Sequence, residues 1–187
     1  MIYSQTLNCV YVAIPKCGTT TIFDALKPLG FRQTPHNLTW PDCDWPQKGR
    51  HDRATLPGAK TITVVRHPVA RLVSQFNDLM SSADKWELPH KYQNCSLDVF
   101  CRMLLDGDVN ERPWLSMTQS EFLETATPYE FHRLENISNL GGFEVRGRWV
   151  AINKKLNSRE YRQQSIPSFM GGWLQQDIEA FGYSVES

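Results

Sequence analysis

The chain has 187 residues, of which 41% are hydrophobic and 21% charged, with 20 Lys and Arg set against 20 Asp and Glu. That length suits one globular domain with one core, spanning 1–187, and the composition excludes disordered and collagen-like classes. The balanced charge supplies no overall field towards nucleic acid or an anionic membrane, so any anion site has to be local.

The longest apolar runs, at 10–14 and 62–65, are far below the roughly 20 residues that span a bilayer. The N-terminus shows no basic patch followed by an apolar stretch and a small-residue cleavage site, so the mature chain is expected to begin at Met1 and to be cytoplasmic, with no membrane partner. Five cysteines, Cys9, Cys17, Cys43, Cys95 and Cys101, are odd in number and form neither a C-x-x-C pair nor a cluster with His. They read as reduced thiols, not as disulfide partners or metal ligands.

In chain order, the run at 10–14 is rich in β-branched and aromatic residues, as in a strand buried on both faces of a parallel sheet. A loop follows from Pro15 to Gly18, and Ile22, Phe23, Leu26 and Leu29 then recur at helical spacing up to Gly30, a residue suited to a helix C-terminus. A short strand is expected at 31–34. The stretch 35–58 is Pro-rich and polar and reads as a long irregular segment, which in compact domains is often functional.

A second buried strand is expected at 61–65, closed by Arg66. Pro68 then opens a helix running to about residue 82, where a first-turn proline loses no hydrogen bond; Val69, Leu72, Val73, Phe76, Leu79 and Met80 form its apolar face. Further helices are expected at 96–105 and within 158–180, and a strand at 129–134. Alternating strands and helices imply a doubly wound α/β domain with a central, mostly parallel sheet flanked by helices.

Two segments carry chemistry. Ile14-Pro15-Lys16-Cys17-Gly18-Thr19-Thr20-Thr21 joins a buried strand to a helix start, where unpaired N–H groups and the helix dipole attract an anion. Gly18 allows close backbone approach, Thr19 and Thr20 add hydroxyls, and Lys16 adds a compact charge. Lys16 precedes the only glycine, so the segment is neither a Walker loop nor a dinucleotide fingerprint. Cys17 is a weaker candidate nucleophile, because a phosphatase loop would need Arg six residues on and Phe23 stands there. The bland alternative is a capped strand-to-helix turn, which accounts for Gly18 and Thr19 better than for Lys16. In the second segment, 66–74, Arg66 ends a strand while Arg71 and Ser74 share a helix face, a set that could surround another phosphate.

P-K-x-G-T-T after the first strand and R-x-P-x-x-R-x-x-S after a later one resemble the donor-binding signatures of the sulfotransferase superfamily. Thr118-Gln119-Ser120-Glu121-Phe122-Leu123, Phe131-His132-Arg133-Leu134-Glu135-Asn136, Ile152-Asn153-Lys154-Lys155 and the stretch 177–183 resemble its carbohydrate-type branch, here in a small soluble microbial or viral form. The resemblance implies a P-loop-like fold and the donor 3′-phosphoadenosine 5′-phosphosulfate. It places Lys16, Cys17, Gly18, Thr19, Thr20 and Thr21 around the 5′-phosphosulfate and Arg66 and Ser74 around the 3′-phosphate, with Arg71 supporting and Lys154 in a late basic loop over the donor. The acceptor would be a hydroxyl or amine, with carbohydrate among the candidates.

Sulfuryl transfer resembles phosphoryl transfer, an in-line displacement in which the protein positions groups and stabilises charge. Lys16 is the expected stabiliser of the leaving phosphate, and no metal is required. For a general base, the family's placement of a His upstream of the second phosphate strand favours His51, with His36 second; His67, His90 and His132 have weaker claims. Two other functions stay open: a P-loop-like kinase or nucleotide hydrolase, and a nucleotide-binding module without chemistry.

Overall fold

The structure is a computed structural model, and it describes residues 2–33, 58–81, 95–106, 113–123, 129–152 and 166–184. Most of the irregular stretch expected at 35–58 and the start of the helical region expected from 158 lie outside the described residues. The chain forms two compact units. Met1–Arg66 with Glu121–Ser158 makes the first, and His67–Ser120 with Arg159–Ser187 the second.

The first unit is built on a five-stranded sheet. Its strands are β1 (Ile2–Ser4), β2 (Cys9–Val12), β3 (Arg32–Gln33), β4 (Lys60–Val65) and β5 (Tyr129–Arg133), in the order β3-β1-β2-β4-β5. The pairs β2–β4 and β4–β5 are parallel, whereas β1 runs antiparallel to both β2 and β3. Four of the five strands therefore point one way, a mixed α/β arrangement with a mostly parallel sheet. The central strands are the apolar ones: β2 is buried throughout, as is β4 beyond Lys60. Thr63 remains tolerable there because its hydroxyl donates to the Val12 carbonyl at 2.8 Å, satisfying a polar group that burial would otherwise penalise.

β1 and β2 are linked by a turn in which Asn8 takes φ 44°, a conformation that Asn tolerates better than most residues. The Asn8 carbonyl accepts from Lys60 N at 3.0 Å, so this turn also fixes the start of β4. The helix α1 (Thr19–Leu26) follows the Pro15–Gly18 loop, and a 3-10 turn at Lys27–Leu29 ends at Gly30 with φ 79°. Ile22 and Leu26 of α1 join Tyr11, Ala13, Ile62 and Val64 in one core. The helix α6 (Leu134–Leu140) and an antiparallel hairpin of β6 (Gly142–Val145) and β7 (Arg148–Ala151) complete that core through Ile137, Phe143, Val145 and Val150. Arg146 and Gly147, both at positive φ, form the two-residue turn whose twist suits a hairpin.

The second unit is helical within the described residues: α2 (Pro68–Ser81), α3 (Leu97–Leu105), α4 (Pro113–Ser116), the start of α5 (Gln119–Leu123), and α7 (Gly171–Phe181) after a 3-10 turn at Ser168–Met170. Ser96 caps α3 by accepting from Val99 N at 3.3 Å, a contact of the kind that ends a helix cleanly. Leu72, Leu79, Phe100, Leu104, Leu115, Leu174 and Ile178 form its core, and Phe76 meets Phe100 at 5.7 Å between ring centroids.

Candidate functional site

The parallel pairing of β2 with β4 brings two strand ends side by side, Val12 opposite Thr63. Beyond β2, the chain turns at once. The Ile14 carbonyl accepts from Cys17 N at 3.3 Å and from the Thr19 hydroxyl at 3.0 Å, which closes the loop on itself. Two residues of this loop are left-handed: Lys16 at φ 68° and Gly18 at φ 74°. For Gly18 the conformation costs nothing, while a lysine adopts it only where its surroundings dictate it.

Gly18 is the residue before α1, and its carbonyl accepts the first helical bond, from Ile22 N at 3.0 Å. The N–H groups of Thr19, Thr20 and Thr21 precede that bond and so have no partner within the helix. They form, with the α1 dipole, a place for an anion. The Thr19 hydroxyl gives its proton to Ile14, so Thr19 would meet an anion through its backbone N–H. Thr20 is exposed and Thr21 half-buried. Cys17 is fully buried and its backbone N–H is bonded to the Ile14 carbonyl, so the loop offers an anion neither its sulfur nor that N–H.

Beyond β4 comes Arg66, only 6% exposed. Its Nη1 donates to the Lys16 carbonyl at 3.0 Å, across 50 residues of sequence. The structure therefore brings Lys16, Gly18, Thr19 and Arg66 together in the first unit. Arg66 closes that unit, and Ser74, half-buried on α2, belongs to the second. Arg71 is fully buried on α2 and donates through Nη1 to the Met117 carbonyl at 2.9 Å, a supporting contact within the second unit. His67 packs edge-on against Tyr183, with centroids 5.1 Å apart.

His51, His36 and Lys154 lie outside the described residues, as does His90. His132 sits on β5 beside Phe143, with Nε2 3.6 Å from Glu130, beyond hydrogen-bonding range. Burial pulls its pKa below the ordinary histidine value, and Glu130 and Glu144 oppose that pull. Among the described residues, no group of three His, Cys, Asp or Glu could hold a metal ion, and no helix is long and apolar enough to cross a membrane. Cys9, Cys17, Cys95 and Cys101 are thiols, not disulfides; burial raises Cys9 and Cys101 to about 11.

The Arg66–Lys16 link is the site feature that the sequence does not display. Its only trace there is that Arg66 directly follows one buried strand and Lys16 lies in the loop after another, and their adjacency depends on which strands pair. A family model described as the sulfotransferase family matches residues 1–133. The match contains the Pro15–Gly18 loop, Arg66 and Ser74, and ends at the last residue of β5. No curated protein and no solved structure matched the chain.

Proposed function

The chain belongs to the sulfotransferase family, and from that premise we propose that it moves a sulfuryl group from 3′-phosphoadenosine 5′-phosphosulfate to a hydroxyl or amine, by in-line displacement. One observation carries the donor reading: Arg66, at the end of one parallel strand, donates at 3.0 Å to Lys16 in the helix-opening loop after the neighbouring strand. Two cationic residues are thereby held next to three first-turn N–H groups, a combination suited to a ligand with more than one phosphate.

In this reading the 5′-phosphosulfate lies on the backbone N–H groups of Gly18, Thr19, Thr20 and Thr21, with Cys17 shaping the loop through its bond to the Ile14 carbonyl and Lys16 against the bridging oxygen. Lys16 interacts more strongly as negative charge develops there, which is the kind of contact that lowers a barrier. Arg66 and Ser74 take the 3′-phosphate, and Lys154 approaches the donor from its basic loop. The general base is His51, with His36 the alternative; a carbohydrate acceptor, a cytoplasmic setting and a single catalytic domain over 1–187 belong to the same proposal. No step in it calls on a metal.

Calorimetric titration with 3′-phosphoadenosine 5′-phosphate in the presence of a chelator tests this reading. Metal-independent binding, abolished or strongly weakened in Arg66→Ala, is expected. Failure to bind, or binding of ATP with magnesium in its place, would overturn it in favour of a nucleotide kinase or hydrolase.

A further inference from the structure

We propose that Arg66 is also a positioning residue for Lys16, its guanidinium holding the Lys16 peptide in its left-handed turn so that the two phosphate subsites are linked through one hydrogen bond. This rests on the donor reading above and adds to it a role for Arg66 that does not require contact with the nucleotide.

The argument starts from backbone cost. A lysine at φ 68° is disfavoured relative to ordinary helical or extended backbone. Such a residue persists only when other contacts over-determine it. The bonds from Cys17 N and the Thr19 hydroxyl to the Ile14 carbonyl close the loop locally. The bond from Arg66 comes from outside the loop, and its origin is rigid: Arg66 follows Val65, which is fully buried and paired with Arg133 in the sheet. With Arg66 itself only 6% exposed, water competes poorly for the Lys16 carbonyl, and an ionised donor strengthens the bond.

A guanidinium carries five N–H donors in a fixed plane. Those donors keep a fixed geometry relative to one another, so a 3′-phosphate drawn to Arg66 would steady the same group that holds the Lys16 carbonyl. Lys16 is then preorganised for the reacting phosphosulfate before the acceptor arrives, which is the condition for useful electrostatic stabilisation. A 3′-phosphate that never touches the reacting centre would in this way contribute to turnover as well as to affinity.

The test separates the brace from phosphate contact by using a nucleotide without a 3′-phosphate. Wild type, Arg66→Gln and Arg66→Lys are titrated with adenosine 5′-phosphosulfate and with 3′-phosphoadenosine 5′-phosphate, and amide hydrogen exchange is followed in peptides covering 14–22 and 60–65. Loss of the brace is expected to speed exchange in 14–22 about fivefold or more, the scale of one net hydrogen bond, while 60–65 keeps its protection. Adenosine 5′-phosphosulfate should also weaken about fivefold in Arg66→Gln, with partial recovery in Arg66→Lys. Should Arg66→Gln lose protection at 60–65 as well, Arg66→Lys becomes the deciding variant. Unchanged exchange in 14–22, or unchanged affinity for adenosine 5′-phosphosulfate alongside weakened bisphosphate binding, would overturn the proposal and leave Arg66 as a phosphate ligand alone. Faster exchange in a protein that binds neither nucleotide would overturn the donor reading and uphold the brace.

Discussion

Ser120 and Asp177, 57 residues apart, are joined twice: the backbone N–H of Ser120 at 2.8 Å and its hydroxyl at 3.0 Å both donate to Oδ1 of the Asp177 carboxylate. The other oxygen accepts from Gln119 N at 2.9 Å and Gln119 Nε2 at 3.1 Å. With Asp177 only 1% exposed, these four donors stand where water would otherwise be, and they tie the N-terminus of α5 to α7. Asp177→Asn turns an acceptor into a donor facing N–H groups. It should lower stability by about 2–3 kcal/mol, the usual scale for breaking a buried charged hydrogen-bond set. Urea denaturation measures this as a lower midpoint at constant slope; an unchanged midpoint would mean that the network contributes nothing net.

Gly142 makes a second, purely steric prediction. A Cβ there would meet the Val150 carbonyl oxygen and lie 2.8 Å from a carbon of the Trp149 ring. The backbone oxygen cannot move without opening the β6–β7 ladder. Gly142→Ala should therefore cost about 1–3 kcal/mol, seen as a fall of several degrees in melting temperature. Gly171→Ala, where nothing lies within 4 Å of the added carbon, serves as the control and should be neutral or slightly stabilising. Equal melting temperatures for the two variants would contradict the close approach.

The sequence displays those parts of this fold that depend on local pattern. The buried run expected at 10–14 appears as β2 at Cys9–Val12, and Pro68 opens a helix ending at Ser81 as its apolar spacing requires. The loop between strand and helix at Lys16 and Gly18 falls where motif and spacing place it. What was hidden depends on pairing. β1 has three residues, too few to show a period, and exists because Ile2 and Tyr3 pair with both β2 and β3. The β6–β7 hairpin turns on Arg146–Gly147, which lacks the usual Asn-Gly or Asp-Gly signal. The segments at 118–123 and 177–183, separately readable as family-like, could not be seen to meet at Asp177. The Arg66–Lys16 bond likewise needed the β2–β4 ladder, which no spacing along the chain encodes.

His132 supplies a pH prediction. Burial lowers its pKa in the folded protein, against the opposing influence of Glu130 and Glu144, so the unfolded chain, at about 6.5, takes up a proton first as pH falls. The unfolded state binds more protons in that window, and stability there rises with pH. The contribution is therefore present in full above about pH 6.5 and is lost as pH drops through the folded value. His132→Gln should flatten the fall in denaturation midpoint between pH 7.5 and pH 5.5. An identical fall in variant and wild type would assign the acid sensitivity elsewhere.

Lys16 joins a left-handed backbone to the chemistry proposed for it, and substitution can separate the two. Lys16→Ala removes the charge and keeps a side chain in a left-handed position, whereas Lys16→Gly removes the charge and relieves the strain implied by φ 68°. If Lys16 acts on developing charge, both variants should lose sulfuryl transfer by about 10²–10³-fold, the range seen when one transition-state donor is deleted. Binding of 3′-phosphoadenosine 5′-phosphate should fall far less, because in the proposed donor site the ground state would draw mainly on backbone N–H groups and on Arg66. Lys16→Gly should in addition be more stable than Lys16→Ala by about 1 kcal/mol. Release of 3′-phosphoadenosine 5′-phosphate from the sulfated donor, measured with and without a panel of hydroxyl and amine acceptors, reads the chemical step, and calorimetry reads the binding. Equal losses in both would make Lys16 a binding residue, and unchanged turnover would remove it from the reaction.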